Sequence, residues 1–135
     1  MTLDLSSFQK ALGSLERAIQ RSQADRGDEE LRDSVIQRFE YTYELSWKML
    51  KRQLEIDAPT PEMIDALGFR DLIREGAERG LIRDPAAWFK YREQRNITAH
   101  TYDEKKAAQV YMTALRFYGD ALALFRELEK RNPRQ

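Results

Sequence analysis

The segment at positions 95–104 holds the residues best suited to chemistry in this chain. It reads Arg-Asn-Ile-Thr-Ala-His-Thr-Tyr-Asp-Glu and contains the only histidine of the protein, His100. Arg95 lies five residues before that histidine, and Tyr102 lies two residues after it. An imidazole titrates near neutral pH, a guanidinium binds phosphate groups, and a phenol offers a hydroxyl. Together these side chains could perform acid–base chemistry on a phosphate ester.

These side chains can meet only if the helix that carries them is interrupted. In an unbroken helix Arg95 and His100 would point about 140° apart, and His100 and Tyr102 about 200° apart. Three β-branched residues weaken the helix in this segment. Thr101, followed three positions later by Glu104, fits a capping box. We therefore predict that one helix ends just before His100 and that the last helix begins just after Thr101.

Such a break would create a site for an anion. It places His100 at the junction and Tyr102 in the first turn of the last helix, where free backbone N–H groups and the helix dipole favour negative charge. The same field would lower the pKa of His100 and favour the neutral imidazole. The imidazole could then act as a general base while Arg95 holds a phosphate, which suits phosphodiester chemistry without a metal. A single histidine and the lack of cysteine argue against a zinc site.

The elements that must position this segment are predicted to be helices. Apolar residues recur three and four positions apart near the N-terminus, and a similar pattern with alanines runs through the last thirty residues. Turn signals containing glycine and proline separate the helical patterns. The predicted helices cover about 5–24, 29–56, 61–66, 69–79, 84 to about 95, and 102–130. We expect one domain over residues 1–135, an all-α bundle of four to five main helices.

Composition narrows the function classes. The 23 basic and 23 acidic residues give no net charge, which argues against a broad polybasic surface for non-specific nucleic-acid binding. We expect no membrane span because no long apolar run exists, and no secretory signal because Met1-Thr-Leu-Asp-Leu lacks a basic and apolar start. With no cysteine there is no disulfide framework. These features together favour a cytoplasmic protein.

Each candidate residue also has a purely structural interpretation. Arg95 could pair with Glu93 or Asp103 on a solvated face. His100 could satisfy a backbone carbonyl beside a helix cap, and Tyr102 could be an ordinary surface tyrosine. Helical spacing predicts a place in the core for the aromatic residues Trp47, Trp88 and Tyr91. Ion pairs within the second helix are predicted for the residues spaced four apart, Glu40, Glu44 and Lys48.

The motif and its context resemble a known family. Residues 95–102 resemble the R-x-x-x-x-H-x-Y signature of HEPN-domain proteins. The segment 39–48, Phe-Glu-Tyr-Thr-Tyr-Glu-Leu-Ser-Trp-Lys, resembles the HepT-like branch, whose members are also called nucleotidyltransferase substrate-binding proteins. The resemblance covers most of the chain. It implies an antiparallel helical bundle that forms a homodimer, with the motifs of both protomers facing one cleft.

The resemblance also implies a function and a set of roles. Active members are metal-independent endoribonuclease toxins, and no cofactor is expected. Arg95 would stabilise charge on the phosphate, and His100 would activate the ribose 2′-hydroxyl or protonate the leaving oxygen. Asn96 would orient the substrate or the arginine. A cognate minimal nucleotidyltransferase, the antitoxin of a hetero-oligomeric pair, would transfer AMP to Tyr102 and silence the ribonuclease.

Alternatives remain open at the level of the sequence. The chain could instead be a non-catalytic subunit that presents a nucleotide or an acceptor substrate to its nucleotidyltransferase, or a bare helical scaffold. A homodimer suits the ribonuclease hypothesis, because a two-fold cleft supplies two histidines to serve as acid and base. The chain is not predicted to be the nucleotidyltransferase itself, since no Asp-x-Asp pair follows Gly13-Ser14 to hold Mg²⁺.

Overall fold

The computed structural model describes residues 2–98 and 103–133. Six helices occur in these residues. No strand is present in these residues, so the predicted all-α fold is confirmed. Within the same residues, no helix combines the length and the apolar character needed to cross a membrane. The helices are α1 (Ser6–Ala24), α2 (Glu29–Asp57), α3 (Pro61–Asp65), α4 (Phe69–Glu78), α5 (Pro85–Ile97) and α6 (Glu104–Arg131).

Local sequence signals explain where these helices begin and end. The side chain of Asp28 caps α2 by accepting from the backbone N–H groups of Glu30 and Leu31. Asp84 caps α5 in the same way, and a proline occupies the first position of that helix. Gly80 follows α4 with a φ of 79°, a left-handed conformation that only glycine adopts at no steric cost.

The three long helices α1, α2 and α6 form the core of the bundle. Helices α1 and α2 run antiparallel, and so do α1 and α6, where the hydroxyls of Ser22 and Tyr111 lie 2.8 Å apart. The predicted alanine seam of α6 is confirmed, because Ala107, Ala114 and Ala121 are completely buried. Small side chains there let the neighbouring helices approach closely.

Aromatic rings join α5 to this core. The ring of Phe117 in α6 packs edge-on against Trp88 at 5.8 Å and against Tyr91 at 5.2 Å. It also contacts Phe39 of α2 at 5.1 Å. Trp88 and Tyr91 are therefore core residues, as predicted. This packing fixes the rotation of α5 and so determines which side chains face away from the core.

The predicted interruption between the last two helices is confirmed, but the predicted cap was wrong. Helix α5 ends at Ile97, and α6 begins at Glu104. The N-cap of α6 is Asp103, not Thr101, and its carboxylate accepts from the N–H groups of Lys105 at 2.9 Å and Lys106 at 3.2 Å. Aspartate at an N-cap is at least as favourable as threonine and also complements the helix dipole.

Candidate functional site

Arg95 lies in the last turn of α5 and reaches across to α2. Its Nε donates to Glu44 Oε1 at 3.1 Å, and its Nη2 lies 3.5 Å from Glu40 Oε1. The sequence suggested Glu93 or Asp103 as the partner of Arg95, and both suggestions were wrong. Glu93 pairs with a lysine of α5, and Asp103 caps α6. The packing of α5 on the core turns Arg95 toward these two carboxylates.

The carboxylates of Glu40 and Glu44 were predicted to form ion pairs within α2, and this was also wrong. They lie one helical turn apart on the side of α2 that faces Arg95. Glu44 has a second contact, since its Oε2 accepts a hydrogen bond from Trp47 Nε1 at 3.3 Å. One carboxylate therefore orients both the guanidinium and the indole.

A cleft opens beside Arg95 between α2, α4 and α5, with a volume of about 440 Å³. We call it the α2–α4–α5 cleft. Asn96 lines it together with Arg95, so the structure brings these two predicted site residues together. Lys51 and Arg92 line it too, which gives the cleft three cationic side chains against the single carboxylate of Glu44. Such a lining suits an anionic ligand.

Aromatic side chains form much of the remaining surface of the cleft. Trp47 was predicted to be core, yet it is only half-buried and lines the cleft. Phe69, the first residue of α4, lies on another wall, and the guanidinium carbon of Arg92 sits 4.4 Å from the centre of its ring. A flat cation over an aromatic face is a cation–π contact that holds both side chains in place.

Tyr43 contributes to the buried side of the cleft. Its ring packs against Phe39 and Phe117, and only 2% of the residue is exposed. Burial raises the pKa of the Tyr43 phenol well above its ordinary value, and the nearby Arg92 only partly offsets this effect. The phenol therefore stays neutral at physiological pH and can both donate and accept a hydrogen bond.

The other two predicted site residues, His100 and Tyr102, lie among positions 99–102, outside the described residues. Their proximity to Arg95 remains a prediction. Thr98 is the last described residue before them, and its hydroxyl donates to the backbone carbonyl of Arg95 at 2.8 Å. No cluster of three or more acidic, histidine or cysteine side chains able to hold a metal occurs within 2–98 and 103–133.

Several residues of this site were missed by sequence reasoning. The four-residue spacing of Glu40 and Glu44 placed them on one face of α2, but nothing local indicated an arginine 51 positions away as the partner of Glu44. Phe69 and Arg92 belong to separate helices, and no sequence pattern indicates that they contact each other. Only the resemblance of segment 39–48 to the HepT-like branch pointed to this face of α2.

Comparison with known proteins gives consistent results. Residues 3–130 match the family described as nucleotidyltransferase substrate binding protein like. A Haemophilus influenzae protein named "probable ribonuclease HepT" is 41% identical over 139 residues, covering 96% of this chain and 94% of that protein. A solved H. influenzae structure, described as the fold of a substrate-binding domain of a nucleotidyltransferase, has a TM-score of 0.88 and 39% identity, covering 93% of this chain and 99% of that one. A crystal structure from Thermus thermophilus has a TM-score of 0.67 and 30% identity, covering 94% and 99% of the two chains.

Proposed function

Because this chain belongs to the nucleotidyltransferase substrate-binding-protein-like family, we propose that it is a HEPN-type endoribonuclease that cleaves RNA without a metal. The relative named a ribonuclease supports this activity. The observation in this chain that carries the proposal is the placement of Arg95, the first residue of the motif. It lies at the edge of a cleft with three cationic side chains, held by two carboxylates.

Arg95 is arranged to contact a phosphate. Its Nε and Nη2 are directed to Glu44 and Glu40, whereas no described residue accepts from its Nη1. A guanidinium anchored at one edge can present its free edge to a phosphate oxygen without further reorganisation. Asn96 lines the same cleft and supplies an amide that can orient the sugar–phosphate backbone.

His100 is assigned the proton transfers. As a neutral imidazole it would remove the proton of the ribose 2′-hydroxyl, whose oxygen attacks the adjacent phosphorus, and as an imidazolium it would protonate the leaving 5′-oxygen. One imidazole cannot hold both protonation states at once. We therefore propose a homodimer in which the histidines of two protomers serve as base and acid.

The test is RNA cleavage by the purified protein in the presence of EDTA. Wild-type protein should cut single-stranded RNA, and the His100→Ala variant should lose at least a hundredfold in rate, in line with the usual contribution of general acid–base catalysis. Arg95→Ala should also be inactive. If the wild type and His100→Ala are equally inert toward tRNA and mRNA, the ribonuclease proposal is wrong.

We further propose that activity is controlled by a partner nucleotidyltransferase, as in a toxin–antitoxin pair. Transfer of AMP from ATP to the Tyr102 hydroxyl, with release of pyrophosphate, would place bulk and negative charge at the cleft and compete with the RNA phosphate. Incubation with the partner and ATP should add the mass of AMP to the wild type and abolish cleavage. The Tyr102→Phe variant should gain no mass and remain active, and equal inhibition of both proteins would contradict the proposal.

A second function is favoured by the relative described as a substrate-binding domain. In that case the chain would be a non-catalytic subunit whose cleft presents a nucleotide or acceptor to the nucleotidyltransferase. Isothermal titration with nucleotides, with and without the partner, separates the two functions. Binding without any RNA cleavage would favour the subunit, and absence of both nucleotide binding and complex formation would exclude it.

A further inference from the structure

We propose that the α2–α4–α5 cleft binds one nucleobase of the RNA strand whose phosphate contacts Arg95. This inference rests on the proposed ribonuclease function, because it assigns the ligand of the same site. The proposed subsite would bind a base, whereas the residues of the motif act only on the sugar–phosphate backbone of the RNA. The residues that would form it are Tyr43, Trp47, Phe69 and Arg92.

The aromatic and guanidinium surfaces of the cleft provide a stacking platform. Phe69 and Trp47 are both only partly buried, and both line the cleft. The Arg92 guanidinium, stacked on Phe69, extends the flat surface that a base could cover. Unpaired bases of single-stranded RNA commonly stack on aromatic rings and on arginine planes, which makes such a surface suitable for one of them.

The Tyr43 hydroxyl supplies a polar group to the wall of the cleft. Tyr43 lines the cleft, and no hydrogen bond from a described residue engages its hydroxyl. The phenol lies close enough to Arg92, Glu44 and Arg95 to interact with their charges. A base entering the cleft would give this hydroxyl a partner on its hydrogen-bonding edge.

Glu44 connects the base subsite with the phosphate subsite. Its two carboxylate oxygens hold Trp47 and Arg95 respectively. The stacking surface and the phosphate-binding guanidinium are therefore fixed relative to each other across a single side chain. In addition, the volume of about 440 Å³ is within the range of small-molecule binding sites.

The chain offers a matched control for the stacking residues. On the same pair of helices Arg70 of α4 lies over the ring of Phe89 of α5, with the guanidinium carbon 4.5 Å from the ring centre. This is the same kind of contact as that of Arg92 with Phe69, but Phe89 does not line the cleft. Substitutions in the two stacks should have similar structural effects and different effects on binding.

The test measures binding of a fluorescent single-stranded oligonucleotide in which every ribose is 2′-O-methylated, so that no cleavage occurs. An abasic oligonucleotide with the same backbone serves as the second probe. Phe69→Leu removes the stacking face and Tyr43→Phe removes only the hydroxyl. Each variant should weaken binding of the base-containing probe at least fivefold, consistent with the energy of one stacked base. Neither should change binding of the abasic probe, and Phe89→Leu should change neither probe.

Several outcomes would overturn the base subsite. One is an equal loss of affinity for Phe69→Leu and Phe89→Leu, and another is an equal loss of affinity for both probes. A third is that the wild type does not bind the base-containing probe. Free AMP that binds as tightly as the oligonucleotide would identify a mononucleotide as the occupant and also contradict the proposal. Because the binding assay needs no cleavage, an inactive protein can still pass it. If the protein cleaves RNA normally but shows none of the expected differences in binding, only the base subsite is disproved, and the ribonuclease proposal stands.

Discussion

At the scale of single residues, Glu44 links two side chains of the site. It accepts hydrogen bonds from both Arg95 and Trp47 with separate oxygens. Its side chain is 35% exposed, and that of Arg95 is 31% exposed. An ion pair with this much solvent contact adds at most about 1 kcal/mol to stability. Its main effect is therefore to orient the guanidinium rather than to hold the fold together.

We predict that Glu44→Gln lowers the kcat for RNA cleavage more than it raises the KM. Glutamine has one carbonyl oxygen, whereas both contacts of Glu44 require an acceptor, so either Arg95 or Trp47 loses its partner. The kcat for RNA cleavage should fall about tenfold or more because the guanidinium is displaced from its productive position. The KM should change less than the kcat, because removing a negative charge beside the phosphate site partly offsets the lost contact to Arg95 or Trp47.

Glu40→Gln is the matched control, because Glu40 lies 3.5 Å from Arg95 Nη2, a longer contact than the 3.1 Å hydrogen bond from Arg95 Nε to Glu44. Its effect on kcat should be several times smaller than that of Glu44→Gln. Steady-state kinetics of both variants, together with their thermal unfolding, provide the measurement. A rise in KM with unchanged kcat for Glu44→Gln would mean that the carboxylate does not act through Arg95.

At the scale of elements, the boundaries of the helices depend mostly on local chemistry and were largely predictable from the sequence. The predicted end of α1 at residue 24 and the start of α2 at residue 29 agree with the structure. The exception is the start of α6, where Thr101 and Asp103 both offer a capping side chain. Capping preferences alone did not decide between them, and the structure assigns the cap to Asp103.

We predict that Asp103→Ala destabilises the protein by about 1 kcal/mol, because the first N–H groups of α6 lose their acceptor. Urea unfolding measures this change. Thr60→Ala is a suitable control, since Thr60 occupies the N-cap position of α3 without a side-chain hydrogen bond. Equal destabilisation by the two substitutions would show that the Asp103 carboxylate does not act as a cap.

At the scale of the whole molecule, the two ends of the described chain are joined through Asn132. Its Oδ1 accepts from the backbone N–H of Leu3 at 2.8 Å, and its Nδ2 donates to Gln53 Oε1 at 2.7 Å and to the Leu128 carbonyl at 2.8 Å. Because the Asn132 side chain is buried, its amide and the three groups that it contacts rely on one another for hydrogen bonds. The contact thus connects the segment before α1 with α2 and the end of α6.

We predict that Asn132→Ala lowers the free energy of unfolding by about 1–3 kcal/mol, because it leaves buried polar groups without partners. Chemical unfolding of the full chain provides the measurement. Gln109→Ala, an exposed position on α6, should change stability by no more than about 0.5 kcal/mol. An Asn132→Ala protein as stable as the wild type would contradict this role.

Sequence reasoning proposed a site from neighbouring residues and missed the contacts that depend on packing. The motif from Arg95 to Tyr102 lies within eight positions and can be recognised without a fold. The contact of Arg95 with Glu44 spans 51 positions, and the stack of Phe69 with Arg92 joins two helices. Such contacts depend on how the aromatic core sets the rotation of each helix. Periodicity identifies the apolar face of a helix but does not identify its partner.

The central claim is that this protein cleaves RNA through the ribose 2′-hydroxyl with His100 as the proton-transfer group. The most direct test compares a single-stranded RNA with its fully 2′-O-methylated counterpart, using wild-type protein and His100→Ala in EDTA. We predict that only the wild type cleaves, that it cleaves only the unmodified RNA, and that the products carry 2′,3′-cyclic phosphate and 5′-hydroxyl ends. Cleavage of the methylated RNA, or undiminished cleavage by His100→Ala, would contradict the claim.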